Sequence, residues 1–294
     1  MSRRARKNLG NGLLFCAPWL IGLSVFLIYP LCAAFYYSLC DYSVLLSPVF
    51  IGFDNYVDLL HDPLFWKSLR NTAYFATGSV SLGLFVSLTL ALLLNSKVKG
   101  VGLYRTLFFL PSLMPVVAGS ILWMWMYNGQ SGLINTGLRA IGLDGPAWLA
   151  DPNWSKPAIV IMAVWGAGNA MVVYLAGLQD VPTSLYEAAL IDGAGFFQRL
   201  FNVTIPMISP VIYFNVVLSI ISGFQAFTQA FIMTGSTGAP ERSTLFYVLN
   251  LYNVGFQDLR MGYASAMAWV LFLIILGITF AATKLSQRWV TYDR

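Results

Sequence analysis

The chain has 294 residues, of which 58% are hydrophobic and 10% charged, with a formal net charge of +5. Ordinary soluble domains run at roughly 45–50% apolar and about 25% charged, so a cytosolic globule is excluded. The bases sit between apolar segments and not on one polar face, which points to lipid and away from nucleic acid.

A spanning helix needs roughly 20 apolar residues, and the charges leave six gaps of that size: 11–40, 71–96, 106–138, 157–179, 200–240 and 261–283. They predict an all-α membrane protein, a single transmembrane domain over residues 1–294. Its helices are expected near 11–39, 71–95, 106–127, 157–178, 209–234 and 261–283. The first follows Arg3, Arg4, Arg6 and Lys7 and carries a faint cleavage signal at Cys32-Ala33-Ala34. Its apolar run exceeds the roughly 7–15 residues of a signal-peptide core, so it reads as an uncleaved span. Cys16, Cys32 and Cys40 form no CxxC and His61 is the sole histidine, so no disulfide framework, metal site or bound cofactor follows.

Between the first two helices, Ile51-Gly52-Phe53-Asp54-Asn55-Tyr56 suggests a turn and an amphipathic surface stretch. On the second helix Ser79, Gly83, Ser87 and Ala91 recur every four residues, for which close helix packing is a sufficient reason. Trp123, Trp125 and Tyr127 close the third helix and read as an interfacial belt. The loop 128–156 is rich in turn residues, with Asp144-Gly145-Pro146 the clearest, and reads as an irregular cap. In the fourth helix Trp165 and Asn169 stand one turn apart and offer a stacking ring beside an amide. In the fifth, Asn215, Ser219, Ser222, Gln225 and Gln229 are spaced to share one helical face. That stripe admits two readings, a solute pathway or interhelical hydrogen bonding. Uncharged amides and hydroxyls suit a neutral polyol such as a sugar, because they donate and accept without a counter-charge.

Lys and Arg are retained on the cytoplasmic side of short loops. With both termini inside, eleven bases face the cytoplasm and six (Lys67, Arg70, Arg139, Lys156, Arg242, Arg260) face outward. The loop 180–208 is then cytoplasmic. It has Ser184 as a possible cap, helix formers over 185–191, a break at Gly193 and Gly195, and a second short helix ending near Pro206, which predicts a helix–turn–helix.

Glu187-Ala188-Ala189, then Asp192-Gly193-Ala194, then Val203, Ile205 and Pro206, resemble the EAA loop of permease subunits in binding-protein-dependent ABC importers. The resemblance covers nearly the whole chain through Ala17-Pro18, Tyr29-Pro30, residues 51–56 and Asn71-Thr72. It is strongest toward the carbohydrate-type importers, whose maltose system has a similar F-type subunit. It departs at Ile205, where leucine is usual, and at Gly235-Ser236-Thr237-Gly238-Ala239-Pro240, in place of Gly-Gly-Pro.

The resemblance implies a MetI-like permease fold in the inner membrane and no enzymatic activity of the chain itself. It implies three partners: a second permease completing a heterodimer, an ATPase dimer that binds ATP and magnesium, and an extracytoplasmic solute-binding protein. Glu187, Ala188, Ala189, Asp192 and Gly193 would then couple ATPase closure to helix movement, while Trp165, Asn169, Asn215, Ser222, Gln225 and Gln229 would line the pathway. Physically, small residues allow close docking, Glu187 offers a charge to a basic partner, and Gly193 frees the backbone. No lysine sits in a GxxxxGK[ST] loop, so phosphate chemistry must come from elsewhere. The rivals are an ion-coupled secondary transporter, which would place a carboxylate or histidine inside the helices, an intramembrane enzyme, and, within the family, transport of a non-sugar solute such as glycerol phosphate.

Overall fold

The structure, a computed structural model, describes residues 3–96 and 99–290, with side chains from residue 12 onward. Of the bases that set the expected orientation, Lys97, Arg294 and the side chains of Arg3, Arg4, Arg6 and Lys7 lie outside the described residues.

In chain order, α1 (Arg3–Leu23) runs through a π-helical stretch, Ser24–Ile28, into α2 (Tyr29–Ser38). A short antiparallel pair follows, β1 (Cys40–Asp41) with β2 (Val49–Phe50), and then α3 (Asp54–His61). Next come α4 (Pro63–Leu94), α5 (Val101–Phe109), α6 (Val116–Met126) and α7 (Leu133–Ala140). They are followed by α8 (Pro152–Trp165), α9 (Gly168–Gln179), α10 (Thr183–Ile191), α11 (Phe196–Arg199) and α12 (Ile205–Met207). The series ends with α13 (Ser209–Phe224), α14 (Thr228–Thr234), α15 (Tyr247–Tyr252) and α16 (Met261–Ser286). Among the described residues, three helices are long and apolar enough to cross a membrane, Gly12–Ser38, Pro63–Leu94 and Met261–Ser286, and three bent pairs bring the crossings to six if each pair counts once.

Four expected helices differ from the observed ones, each for a local reason. The one expected at 71–95 begins at Pro63, because Lys67 and Arg70 are carried on its first turns; the Lys67 ammonium donates to the Glu241 carbonyl at 2.6 Å. The one at 106–127 bends by 99° between Leu113 and Val116, where Pro115 lacks an N–H and holds Met114 extended (ψ 134°). The one at 157–178 starts at Pro152, capped by the Asp151 carboxylate on the Asn153 N–H (2.8 Å), and bends by 46° at Gly166-Ala167. The one at 209–234 stops at Phe224, and α14 restarts it after three irregular residues.

The chain divides into two compact units, residues 1–62 with 251–271, and residues 63–250 with 272–294. In the first, the 51–56 motif is a helix-end clamp. Asn55 donates its amide to the Ser38 and Cys40 carbonyls, both at 2.9 Å, satisfying groups that the end of α2 leaves open, and the Tyr56 hydroxyl lies 2.7 Å from Ser38 Oγ.

In the second unit α4 packs against α13, α9 and α8. Asn71 and Thr72 at its start hold the loop 240–247: the Asn71 amide donates to the Arg242 and Leu245 carbonyls (2.9 and 3.2 Å), and Thr72 Oγ1 accepts the Tyr247 N–H (2.7 Å). One core gathers Phe75, Trp123, Tyr127, Trp148, Ile159 and Phe246; another gathers Ala91, Met171, Tyr174, Leu178, Ile208 and Ile212. Trp123 and Tyr127 are thus core residues, the Tyr127 hydroxyl donating to the Ala158 carbonyl, and of the expected interfacial belt only Trp125 is exposed.

The loop 128–156 is partly helical, through α7, and is organised by buried Asn135. This residue donates to the Gly129 and Pro146 carbonyls and accepts from Trp148 Nε1 at 2.7 Å. Asn135→Leu should strand the indole N–H and both carbonyls and lower stability by about 1–3 kcal/mol. Thermal unfolding of purified protein checks this; a midpoint equal to that of the parent chain would contradict the clamp.

Candidate functional site

Glycines let helices meet α4 and α9 closely. A Cβ at Gly78 would stand 3.3 Å from Val160, one at Gly223 3.1 Å from Ala76, and one at Gly177 3.0 Å from Val211. Gly83 is different: nothing lies within 4 Å of its Cβ position. The helices part there around a cavity of about 390 Å3, which falls in the roughly 300–1,000 Å3 range of small-molecule pockets.

Its polar lining comes from four helices: Ser79, Gly83 and Ser87 of α4, Asn169 of α9, Asn215, Ser219 and Ser222 of α13, and Gln229 of α14. Among the described residues, no Asp, Glu, Lys, Arg or His lines it. Ser79 and Ser87 donate to Ala76 and Gly83 on their own helix, and the Asn215 amide donates to Val211 at 3.0 Å. The serine oxygens as acceptors, the Asn215 amide oxygen and the Asn169 and Gln229 amides are left to serve a ligand with hydroxyl groups.

Of the six pathway residues expected from sequence, the structure brings four together: Asn169, Asn215, Ser222 and Gln229. Gln225 does not join them, because α13 ends one residue before it and the presumed single stripe is split between α13 and α14. Trp165 does not join them either. The Gly166-Ala167 bend separates it from Asn169, and its ring packs edge-on against Trp123 with centroids 5.7 Å apart. The residues missed are Ser79, Gly83 and Ser87, assigned to packing alone. The available signal was two hydroxyls flanking a glycine at helical spacing.

The loop after α9 also has a defined geometry. α10 begins after Pro182, so Ser184 is inside the helix and caps nothing. It ends in a left-handed turn: Gly193 has φ +76°, the Asp192 N–H donates to the Ala188 carbonyl (3.0 Å) and the Ala194 N–H to the Ala189 carbonyl (2.9 Å). Gln198 Oε1 then accepts the Gly195 N–H at 2.7 Å and starts α11. Tyr186 reaches Thr204 (3.0 Å) and ties α10 to the helical run 196–207. Glu187, Ala188, Asp192 and Gly193 are exposed and Ala189 half-buried, and Ile191, Phe196 and Phe197 are exposed beside them. The turn thus presents a mixed acidic and apolar surface.

The sequence model described as "Binding-protein-dependent transport system inner membrane component" matches residues 80–291. The chain is 38% identical over 295 residues to the probable ABC transporter permease protein YesP of Bacillus subtilis, covering 99% of this chain and 95% of that one. It is 38% identical over 275 residues to the lactose transport system permease protein LacF of Rhizobium radiobacter, covering 92% of each. Among solved structures, a chain of a bacterial alginate ABC transporter, in complex with an alginate pentasaccharide-bound periplasmic protein, superimposes with a TM-score of 0.82 at 26% identity. That match covers 97% of this chain and 96% of that one.

The cavity geometry separates two glycines on facing helices. Gly223→Leu forces α13 off α4 and should lower stability by about 1–3 kcal/mol. Gly83→Leu enters open space and should leave the unfolding midpoint unchanged or slightly raised. Equal losses in the two variants, read by thermal unfolding, would contradict an open cavity at Gly83.

Proposed function

The chain belongs to the family of binding-protein-dependent transport system inner membrane components, and from that premise we propose that it is a membrane-spanning permease subunit of an ATP-driven sugar importer. Two relatives support the sugar reading, one carrying lactose in its name and one solved with an alginate oligosaccharide on its periplasmic protein. The observation that carries it is the cavity lined by uncharged donors and acceptors from α4, α9, α13 and α14. A phosphate-bearing solute or a coupling ion calls for a countercharge, and the lining offers none. Sugar hydroxyls need only the hydrogen-bonding groups present.

In this reading the chain sits in the inner membrane with both termini and the loop 180–208 in the cytoplasm. A second permease completes the pathway, an extracytoplasmic binding protein delivers solute, and ATP and magnesium are held by a separate ATPase dimer. Glu187, Ala188, Ala189, Asp192 and Gly193 form the docking turn. α10 follows α9 after three residues, so a push on α10 is delivered directly to a helix lining the cavity. Alternating access follows if ATPase closure shifts α9 and α13 relative to α4, since the cavity opens wherever those helices part.

Four outcomes test this. Vesicles with this subunit alone should show no ATP-dependent sugar uptake, and vesicles with the four-component assembly should show it; uptake by the subunit alone would overturn the assignment. Gly193→Asp, which puts a side chain at φ +76° and charge at the docking turn, should cut uptake of every accepted sugar while the ATPase detaches or hydrolyses without transport. Gly83→Leu should instead leave ATPase attachment intact and reduce uptake in a solute-dependent way. For sidedness, single cysteines at Leu143 and Gln198, in a background without Cys16, Cys32 and Cys40, should react from opposite faces. Gly145 is unsuitable because a side chain there would meet Asn135.

A further inference from the structure

A second cavity, of about 490 Å3, lies beside the docking turn and plays no part in the solute route. Its walls are the last two turns of α4 with Asn95 and Ser96, then Leu178 of α9, Tyr186 of α10, and Phe196, Arg199, Leu200 and Thr204. Leu92, Leu93, Leu178, Leu200 and Phe196 make its apolar part. Leu93 and Phe196 at its edges are 62% and 63% exposed, so it opens outward and is not a closed void.

Its polar side is cationic. Arg199 is half-buried, and its buried Nε has no hydrogen-bond partner. A guanidinium offers five donors in a planar fork that fits a phosphate or carboxylate, and a buried donor left without a partner is destabilising until a ligand supplies an acceptor. Among the described residues, no carboxylate lines the cavity. Arg105 lies at the same end of α4, donating from Nη2 to the Leu94 carbonyl at 3.3 Å, with its own Nε buried and unpartnered. Lys99 is exposed in the connection between α4 and α5.

Depth selects the occupant. α4 is a candidate membrane span over Pro63–Leu94, so its last turns and Asn95–Ser96 stand where hydrocarbon gives way to phosphate headgroups. Basic pockets between spanning helices at that level bind anionic headgroups. A carboxylate reaching in from a partner subunit would meet Arg199 but leave the leucine wall bare. A phospholipid fills both parts, its phosphodiester on the guanidinium and an acyl chain along Leu92, Leu93 and Leu178.

We propose that this cavity is a binding site for an anionic glycerophospholipid, which braces the docking turn against the end of α4. The bracing follows from the lining: Tyr186 belongs to the turn and Thr89 to α4, so one lipid touches both. The assignment rests on α4 spanning the membrane and is independent of which solute is carried.

The test reads lipid directly. The complete transporter is placed in phosphatidylcholine membranes with and without phosphatidylglycerol, extracted, and weighed intact by native mass spectrometry. Retained phosphatidylglycerol should exceed phosphatidylcholine by about tenfold, as one charge-assisted fork predicts. Arg199→Gln should remove that enrichment, and Thr89→Trp, which fills the cavity and leaves the arginine, should do the same. Arg199→Lys, keeping the charge but losing the fork, should fall between. Equal retention in Arg199→Gln, Thr89→Trp and parent would overturn the proposal. So would loss of the ATPase from Arg199→Gln with lipid retention unchanged, which makes Arg199 a subunit contact. Displacement of the lipid by free glycerol phosphate would also overturn it, since the site would then serve a soluble phosphate ester. Failure of sugar uptake with lipid retention intact would fall on the proposed function alone.

Discussion

How near another helix can come to α4 governs the rest of the larger unit. In lipid there is no hydrophobic gain in bringing one apolar helix to another, so small residues that let backbones and side chains interlock must supply the attraction. Gly78, Ala76 and buried Ala91 do so along α4, and Val160, Gly223 and the leucines around Ala91 are their counterparts. Where the pattern carries Ser79, Gly83 and Ser87, the neighbours stand off and the same helix face becomes a cavity wall. Packing and vacancy are thus written on one stripe, and a change of a single side chain moves a position from one to the other.

The breaks in the other helices serve the same end. α8 and α9 bend at Gly166-Ala167, and both residues line the cavity. Gly168 sits so close to the Phe108 carbonyl that any side chain there would displace it. Backbone away from regular helix is tolerated at membrane depth only where protein or a water-filled cavity covers it, and the break at 166–167 meets that condition.

Much of this was legible in the sequence, and the rest was hidden for physical reasons. Charge spacing located the six apolar regions, because a charge in hydrocarbon is costly wherever it falls. It misplaced the start of α4, since long basic side chains at a helix end reach back to polar groups, as Lys67 does to Glu241. The turn after α10 was readable because Gly193 has a strictly local job, the left-handed step that ends that helix. The stripe on the fifth region failed at Gln225, because helical spacing presumes one unbroken helix and nothing in its composition shows that α13 ends at Phe224. Trp123 and Tyr127 were read as interfacial from their position in the chain, and only tertiary packing makes them core. That Ser79 and Ser87 face a cavity was hidden because the same small side chains serve packing and cavity lining equally well.

If the cavity beside Gly83 is the solute route, it must open to one side of the membrane at a time. The direct measurement is the reactivity of a cysteine at Ser79, with the native cysteines removed, toward a membrane-impermeant thiol reagent in the reconstituted transporter. Reagent is supplied from each face in turn, without nucleotide and with ATP trapped by vanadate. Alternating access predicts that the face from which the cysteine reacts switches between the two conditions. Reactivity from the same face in both, or from neither face in either, would contradict it.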